Sequence, residues 1–302
     1  MQNQIYKNSG KPLLVITGQY QNGKSTFLNC LLGGHYAVEG KGLITTKYNA
    51  KYCFGDYQML RVIPPVTGSL AEKKIYDSIS GFFSAQDSIR EYDKNSLLEI
   101  TAYSPMLEHI DLLDSPGCGA NDEDDSVAEA ALTMADFVLF IVQKDINIQE
   151  MQFMKKICCA GKHFSIILNC WNDLDPDSDE AKVLTQTVFA KLQNNNELLA
   201  NYVSLSKKYP VYPVNLLWAQ CALGYQDAEL YQKRMKQVGC SLGIEQINPF
   251  DLLQISNFLS VREMIKKVIH TFFNYTPYQD YHILRSVADS WTTELVNILK
   301  EK

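Results

Sequence analysis

Residues 18–25 read GQYQNGKS, and this octapeptide restricts the fold of the chain more than any other part of its sequence. It matches the pattern GxxxxGKS/T, in which the backbone N–H groups of a glycine-rich loop surround phosphate oxygens. A short run of β-forming residues, LLVI at 13–16, precedes it, and apolar residues at helical spacing follow over 24–32. Strand, glycine loop and helix in this order predict a phosphate-binding unit of an α/β sheet.

The residue types of this loop suit a nucleoside triphosphate. Gly18 and Gly23 let the backbone turn its N–H groups toward the phosphates, and the helix that begins near Lys24 presents its positive end to them. We expect the Lys24 ammonium to bridge the β and γ phosphates and the Ser25 hydroxyl to coordinate Mg²⁺. The loop residues predicted to contact the nucleotide are Gly18, Gln19, Tyr20, Gln21, Asn22, Gly23, Lys24, Ser25 and Thr26.

Apolar runs at 110–113, 137–142, 164–168 and 211–214 alternate with segments of helical pattern. This alternation predicts an α/β fold whose central sheet is mainly parallel and is flanked by helices on both faces. The long stretch between Thr46 and Asp114 holds three further extended candidates, which indicates an insertion with its own edge strands.

We expect one domain over residues 1–275 and a C-terminal helix over 276–302. The apolar stripe of that helix fits two alternatives, packing on the domain or beginning a stalk or bundle.

Composition argues against several classes of protein. No apolar run approaches the ~20 residues that a bilayer-spanning helix needs, and no signal-peptide pattern opens the chain. The 8 cysteines form no CxxC pair, which indicates neither a zinc site nor a disulfide framework and favours a reducing cytoplasm. The formal net charge of −6 provides no general basic field, so nucleic acid is not expected as a partner.

Two further motifs would complete a magnesium-dependent site. Asp114 ends the apolar run at 110–113 and continues as D-S-P-G, so its carboxylate can stand behind Mg²⁺ while the Gly117 N–H faces the γ phosphate. Either Thr45 or Thr46 can hold Mg²⁺ and the attacking water with its hydroxyl and backbone carbonyl.

These motifs resemble those of the dynamin superfamily of large GTPases, and in particular of bacterial dynamin-like proteins. GQYQNGKSTFLNCLLGG is similar to their GEFSAGKSTFLNALLG, and TTKYNAKYCFG is similar to their TTAVPTRIRYG. LLEITAYSPMLEHIDLLDSPG resembles the stretch that leads into their D-T-P-G, and ADFVLFIVQKDINIQEMQFMKKI resembles the strand and helix that follow. The likeness covers roughly residues 12–270.

The resemblance implies a P-loop GTPase domain that hydrolyses GTP with Mg²⁺ and is activated when two copies dimerise through the nucleotide face. It identifies Thr46 as the switch residue, which closes over the γ phosphate. The expected metal ligands are therefore Ser25, Thr46 and Asp114, and the expected catalytic residues are Lys24, Thr46 and Gln21. It also leaves a peripheral membrane or stalk partner open. Cys118 stands where Ras-like GTPases carry a glutamine, in agreement with the resemblance.

Some positions depart from the family pattern. Gln21 replaces a shorter polar residue, and the guanine-reading N/T-K-x-D appears as Asn169-Cys170-Trp171-Asn172, followed by Asp173. Asn172 presents one acceptor and one donor where a carboxylate accepts twice from guanine, a mismatch of about 1–3 kcal/mol. Either Asp173 reads the base or guanine selectivity is weak. Asn215 stands at the later turn near the base.

Two functions therefore stay open at this stage. One is a dynamin-like GTPase. The other is a nucleotide-dependent binding or scaffold module with weak hydrolysis or altered base specificity. A kinase on the same loop fits less well, because a switch-like threonine and a D-S-P-G turn both serve attack by water.

Overall fold

The computed structural model describes residues 10–37, 48–65, 74–76, 95–118, 122–171, 174–224, 228–243 and 247–273. Several predicted features lie outside these residues, namely Thr45, Thr46, Asn172, Asp173 and the C-terminal helix at 276–302. No helix in the described part of the chain combines the length and the apolar character needed to cross a bilayer.

The described strands form one sheet in the order β4-β3-β5-β2-β6-β1-β7-β8-β9. Their bounds are β1 Leu13–Gly18, β2 Asn49–Phe54, β3 Met59–Ile63, β4 Lys74–Tyr76, β5 Leu97–Ala102, β6 Asp111–Asp114, β7 Phe137–Gln143, β8 Phe164–Asn169 and β9 Tyr212–Val214. The predicted central sheet of an α/β fold is thereby confirmed.

Helices lie between several of these strands in the chain. They are α1 Lys24–Leu32, α2 Asp122–Met134, α3 Ile148–Cys159, α4 Asp179–Gln193, α5 Asn196–Asn201, α6 Leu216–Leu223, α7 Ala228–Leu242, α8 Pro249–Ile255 and α9 Phe258–Phe273, with a 3-10 helix at Pro105–Glu108. The predicted strand, glycine loop and helix correspond to β1, residues 18–25 and α1.

The sheet is mixed. The pairs β1–β6, β2–β5 and β8–β9 are parallel, whereas β2–β6, β3–β4 and β3–β5 are antiparallel. Every one of these antiparallel pairs includes a strand from the predicted insertion between Thr46 and Asp114. Apolar alternation indicates where strands lie, but strand direction depends on how the insertion folds back on the sheet.

Two compact units can be distinguished in the described chain. One falls within Met1–Leu28, Tyr36–Phe140 and Asn147–Phe164, and the other within Asn29–His35, Ile141–Ile146 and Ser165–Lys302. The first contains residues 18–25, Asp114 and Gly117, and the second contains Asn169 and Asn215. The predicted phosphate-binding residues and base-binding residues therefore belong to different units.

Burial along the strands follows their sequences. β1 and β6 are buried at every position, as expected for strands covered on both faces. β3 alternates between buried and partly exposed residues, which is the pattern of a strand with one open face. The insertion thus extends the sheet outward from a fully buried centre.

A row of alternating charges crosses the insertion side of the sheet. Arg61 on β3 pairs with Glu99 on β5 at 3.0 Å, and Lys51 on β2, which lies in register with Glu99, pairs with Asp111 on β6 at 2.8 Å. The Lys51 and Asp111 side chains are only 2% and 1% exposed. Burial lowers the pKa of Lys51, but the hydrogen bond to Asp111 and the neighbouring charges outweigh it and leave the pKa above its ordinary value.

Candidate functional site

The GQYQNGKS loop reverses the chain between β1 and α1. Gly18 and Gly23 have positive φ angles of 143° and 95°, which glycine adopts readily. Gln21 also has a positive φ, 66°, and for a residue with a Cβ this left-handed conformation costs about 1–2 kcal/mol. The loop closes on itself through Asn22 N–H, which donates to the Gln19 carbonyl at 3.3 Å. It is therefore a strained turn of the kind found at functional sites.

Lys24 lies folded over this loop. Its ammonium donates to the carbonyls of Gly18 at 3.0 Å and Gln19 at 2.9 Å, and the side chain is buried. Burial lowers the pKa of Lys24, and the charge of Asp114 acts in the opposite direction. The ammonium is thus held beside the glycine loop by weak backbone acceptors that phosphate oxygens could replace.

Asp114 lies at the end of β6, as predicted. The carboxyl is buried, and burial raises its pKa to about 6, although Lys24 acts to lower it. Its Oδ1 atom has no hydrogen-bond partner among the described residues. A buried carboxylate oxygen without a partner is costly, and a bound cation would compensate that cost. The donor set thus fits Mg²⁺, which prefers carboxylate, hydroxyl and phosphate oxygens.

The described residues contain no group of three or more histidine, cysteine or acidic side chains that could hold a metal ion. Ser25 is partly buried at the start of α1, where its hydroxyl is the other described ligand of the predicted set. Thr26 beside it is buried.

The D-S-P-G turn packs against the backbone of the glycine loop. A Cβ placed on Gly117 would come within 2.8 Å of the Tyr20 nitrogen and 3.0 Å of the Tyr20 Cα. Cys118 N–H donates to the Gly18 carbonyl at 3.2 Å, and Ser115 N–H donates to the Ile16 carbonyl at 3.1 Å. Gly117 is therefore required by close approach to the loop backbone.

We expect Gly117→Ala to shift the Tyr20 backbone, since peptide atoms cannot rotate away as a flexible side chain can. The free energy of unfolding should fall by about 1–3 kcal/mol, as for other overpacked sites, and GDP affinity should fall about tenfold. Urea unfolding and titration with a fluorescent GDP analogue would measure the two effects.

Gly55→Ala is the matched control. Its Cβ would lie 2.7 Å from the Thr101 Cβ. Gly55 follows the end of β2, and because β2 runs antiparallel to β6, this end lies away from Asp114 at the end of β6. This variant should lose stability and keep its GDP affinity. Equal affinities for the two variants would contradict the role of Gly117.

The first turn of α3 is joined to the loop by side-chain hydrogen bonds. Gln19 Nε2 donates to Asn147 Oδ1 at 3.3 Å and to Gln149 Oε1 at 3.0 Å, and Asn147 Nδ2 donates to Gln19 Oε1 at 2.8 Å. Asn22 Nδ2 donates to the buried Glu150 Oε1 at 2.9 Å. Sequence reasoning missed the α3 residues. Their only sequence signal is the capping pattern N-I-Q-E, which predicts a helix start but no contact with the loop.

The predicted base loop begins at the end of β8. Asn169 is buried, and Cys170 N–H donates to the Val214 carbonyl at 2.7 Å. Burial raises the pKa of the Cys170 thiol to about 12, so the thiol stays neutral. Because Cys170 is buried, it does not offer a base the exposed stem that lysine provides in the usual motif, and the neighbouring Trp171 is the partly exposed residue.

Asn215 is fully buried, and its side chain forms hydrogen bonds with backbone groups. Its Oδ1 accepts from Trp218 N–H at 3.0 Å, which caps α6, and its Nδ2 donates to the Leu174 carbonyl at 3.1 Å. These contacts connect Asn215 to the chain that follows the base loop. Its predicted nearness to the base remains a prediction, since Asn172 and Asp173 lie outside the described residues.

The profile of the dynamin family matches residues 14–169, just over half of the 302 residues. The chain belongs to the dynamin family. The resemblance inferred from its motifs is thereby confirmed. In this dynamin-family chain the match begins within β1, includes the phosphate loop, Asp114 and Gly117, and ends with Asn169.

Two solved structures are similar to this chain in fold. Two structures of an oligomerised bacterial dynamin pair, described as a mechanism for the long-range sensing and tethering of membranes, align with 99% of the chain. The sequence identity is 16% for both, and the TM-scores are 0.58 and 0.55. At this identity the likeness concerns the fold alone, and the chain spans 51% of the length of those proteins. No curated protein shows a significant match.

Proposed function

We propose that this dynamin-family chain binds GTP on the loop at 18–25 and hydrolyses the bond between the β and γ phosphates. The observation that carries the proposal is the juxtaposition of a strained glycine loop, a lysine folded over it, and the buried Asp114 carboxyl beside that lysine. We also propose that the GTPase domain covers residues 1–275 and is followed by a helix over 276–302.

Each residue has a role in this mechanism. The Lys24 ammonium exchanges the Gly18 and Gln19 carbonyls for β and γ phosphate oxygens and stabilises the negative charge that shifts toward the leaving group. Loop N–H groups and the Gly117 N–H orient the phosphates. Mg²⁺, held by Ser25, Thr46 and Asp114, would screen the phosphate charge when bound.

Two residues would act near the reacting phosphate. Thr46 would hold the attacking water with its backbone carbonyl, and Gln21 would donate a hydrogen bond close to the bridging oxygen. Asp173 or Asn172 would read the base, with Asn169, Trp171 and Asn215 supporting the loop. Thr45, which precedes Thr46, would support it in holding Mg²⁺ and the attacking water.

Self-association through the nucleotide face is part of the proposal. The support is that the structural neighbours are oligomerised and that Tyr20 and Ile148 are 42% and 74% exposed on two segments that hydrogen bonds join. Contiguous exposed apolar patches mark interaction sites, and these two side chains lie on adjoining segments. A cytoplasmic chain with a peripheral membrane or stalk partner is proposed by analogy with the membrane-tethering neighbours.

Phosphate release from GTP and ATP, at several protein concentrations, tests the proposal. We expect GTP to be hydrolysed at least about tenfold faster than ATP, with a rate per chain that rises with concentration as copies associate. Lys24→Ala protein supplies the background rate. If ATP were preferred tenfold, the base assignment would be wrong.

The second candidate is a nucleotide-dependent binding module with weak hydrolysis or altered base specificity. It is favoured by the buried Cys170, which replaces the exposed lysine of the usual base motif. GTP turnover above about one per minute, lost in Lys24→Ala, would exclude this candidate. Tight binding of nucleotide with slower turnover would support it.

A further inference from the structure

The strained residue of the phosphate loop is followed directly by an anchored one. Gln21 holds a left-handed φ of 66° and is exposed, whereas Asn22 is 7% exposed. Asn22 Nδ2 donates to Glu150 Oε1 at 2.9 Å, across 128 residues of sequence. A residue keeps such a conformation only where its surroundings impose it, and the side-chain hydrogen bond of the adjacent Asn22 is one such constraint.

Glu150 is well placed to serve as that anchor, because its own helix holds it. The side chain is 2% exposed, and its Oε2 accepts from Asn147 N–H at 3.0 Å. Glu150 N–H in turn donates to Asn147 Oδ1 at 2.9 Å, which completes a capping box at the start of α3. One carboxylate oxygen therefore caps the helix while the other accepts from Asn22. Hydrogen bonds to a charged acceptor are stronger than those between neutral groups.

The other side of the strained turn is attached to the same helix. The Gln19 side chain bonds to Asn147 and Gln149, and the Gln19 carbonyl accepts from the Lys24 ammonium. The two residues between the attachment points, Tyr20 and Gln21, are consequently held at both ends. The first turn of α3 and the phosphate loop form one hydrogen-bonded unit.

We propose that Glu150 is a positioning residue of the nucleotide site, which acts through Asn22 to hold Gln21 in its left-handed conformation before the nucleotide arrives. The inference rests on the proposed function, since it assumes that this loop binds the nucleotide. A loop that is already turned gives up less conformational freedom on binding, so the anchor should raise affinity. It should do so equally for GDP and GTP, because it precedes the chemical step.

The test is titration of the full chain with a fluorescent GDP analogue in the presence of Mg²⁺. We expect Asn22→Ala and Glu150→Ala each to weaken GDP binding about tenfold, and the double variant to be no weaker than the worse single variant, because both remove the same bond. Thermal unfolding of each variant establishes that the protein is folded at the titration temperature.

A rescue separates positioning from general support of the fold. Gln21→Gly in the Asn22→Ala background removes the cost of the left-handed conformation, since glycine adopts it freely. We expect the Gln21→Gly/Asn22→Ala variant to bind GDP several-fold more tightly than Asn22→Ala alone. An absence of rescue would overturn the proposed route through Gln21.

Ser178→Ala is the matched control for the loss of a helix cap. Ser178 Oγ accepts from Ala181 N–H at 3.2 Å at the start of α4 and has no described bond to the loop. Its GDP affinity should equal that of the wild type. If Asn22→Ala and Glu150→Ala also bound GDP as the wild type does, while Lys24→Ala did not bind, the positioning role would be wrong and the proposed function would stand. A wild type without GDP affinity would instead overturn the proposed function.

Discussion

Asp114→Asn should make the nucleotide-free protein more stable at neutral pH, by about 3 kcal/mol. Burial raises the pKa of this carboxyl from 3.8 to about 6. The folded state therefore binds the Asp114 proton more tightly than the unfolded state does. Between pH ~4 and ~6 the contribution of Asp114 to the free energy of unfolding falls as pH rises, and above pH ~6 the full penalty is present. Asparagine carries no charge and avoids it.

The comparison requires urea unfolding of the wild type and Asp114→Asn from pH 4 to pH 8 without nucleotide or metal. The free energy of unfolding of the variant should exceed that of the wild type by an amount that grows from pH ~4 to pH ~6 and stays constant above pH ~6. A difference between the two proteins that does not change with pH would contradict the inferred burial of a charged carboxylate.

The same substitution should have the opposite effect on binding. The neutral amide of the Asp114→Asn variant would not supply the negative charge that Mg²⁺ prefers, so we expect Mg²⁺-dependent GDP affinity to fall by about 10–100-fold. Stabilisation of the empty protein together with loss of metal-dependent binding is typical of a functional residue that is costly to keep. Loss of stability together with loss of binding would indicate a purely structural aspartate.

Lys51→Met should destabilise the protein by about 3–5 kcal/mol, because it leaves the Asp111 carboxylate buried without its 2.8 Å ion-pair partner. The double variant Lys51→Met/Asp111→Asn removes both charges and should recover much of that loss. Urea unfolding at neutral pH measures both. A double variant no more stable than Lys51→Met would show that the buried charge is not the cause.

Lys156→Met provides the matched control. Lys156 pairs with Glu129, but both side chains are close to half exposed, and exposed pairs contribute less than about 1 kcal/mol. A loss for Lys156→Met as large as that for Lys51→Met would contradict the argument from burial.

Short segments of sequence predicted the centre of the candidate site. Residues 18–25 and their flanking strand and helix could be inferred because glycine, lysine and serine at those spacings determine local backbone geometry and phosphate chemistry. Asp114 could be inferred because an acidic residue ends an apolar strand and a D-S-P-G turn follows. The resemblance to the dynamin family extended the same reasoning, and the family profile over 14–169 confirmed that resemblance.

Other features depended on contacts that sequence patterns do not encode. The alternation of apolar runs predicted strands, but β2 lies antiparallel to β6 because of how the insertion folds. Gly117 was expected to face the γ phosphate, and the structure adds a reason for glycine in its approach to the Tyr20 backbone. Asn215 was expected near the base. In the structure its side chain forms hydrogen bonds with the backbone of Leu174 and Trp218.

The sequence by itself determined that this protein has a phosphate loop after a buried strand and an acidic residue at the end of another, since both depend on local conformation and residue chemistry. Only the tertiary structure decided that Glu150 anchors Asn22 across 128 residues and that Asp114 is buried beside Lys24. The reason is physical: a hydrogen bond or a shifted pKa depends on distance and burial, and these arise only when separate strands and helices pack together.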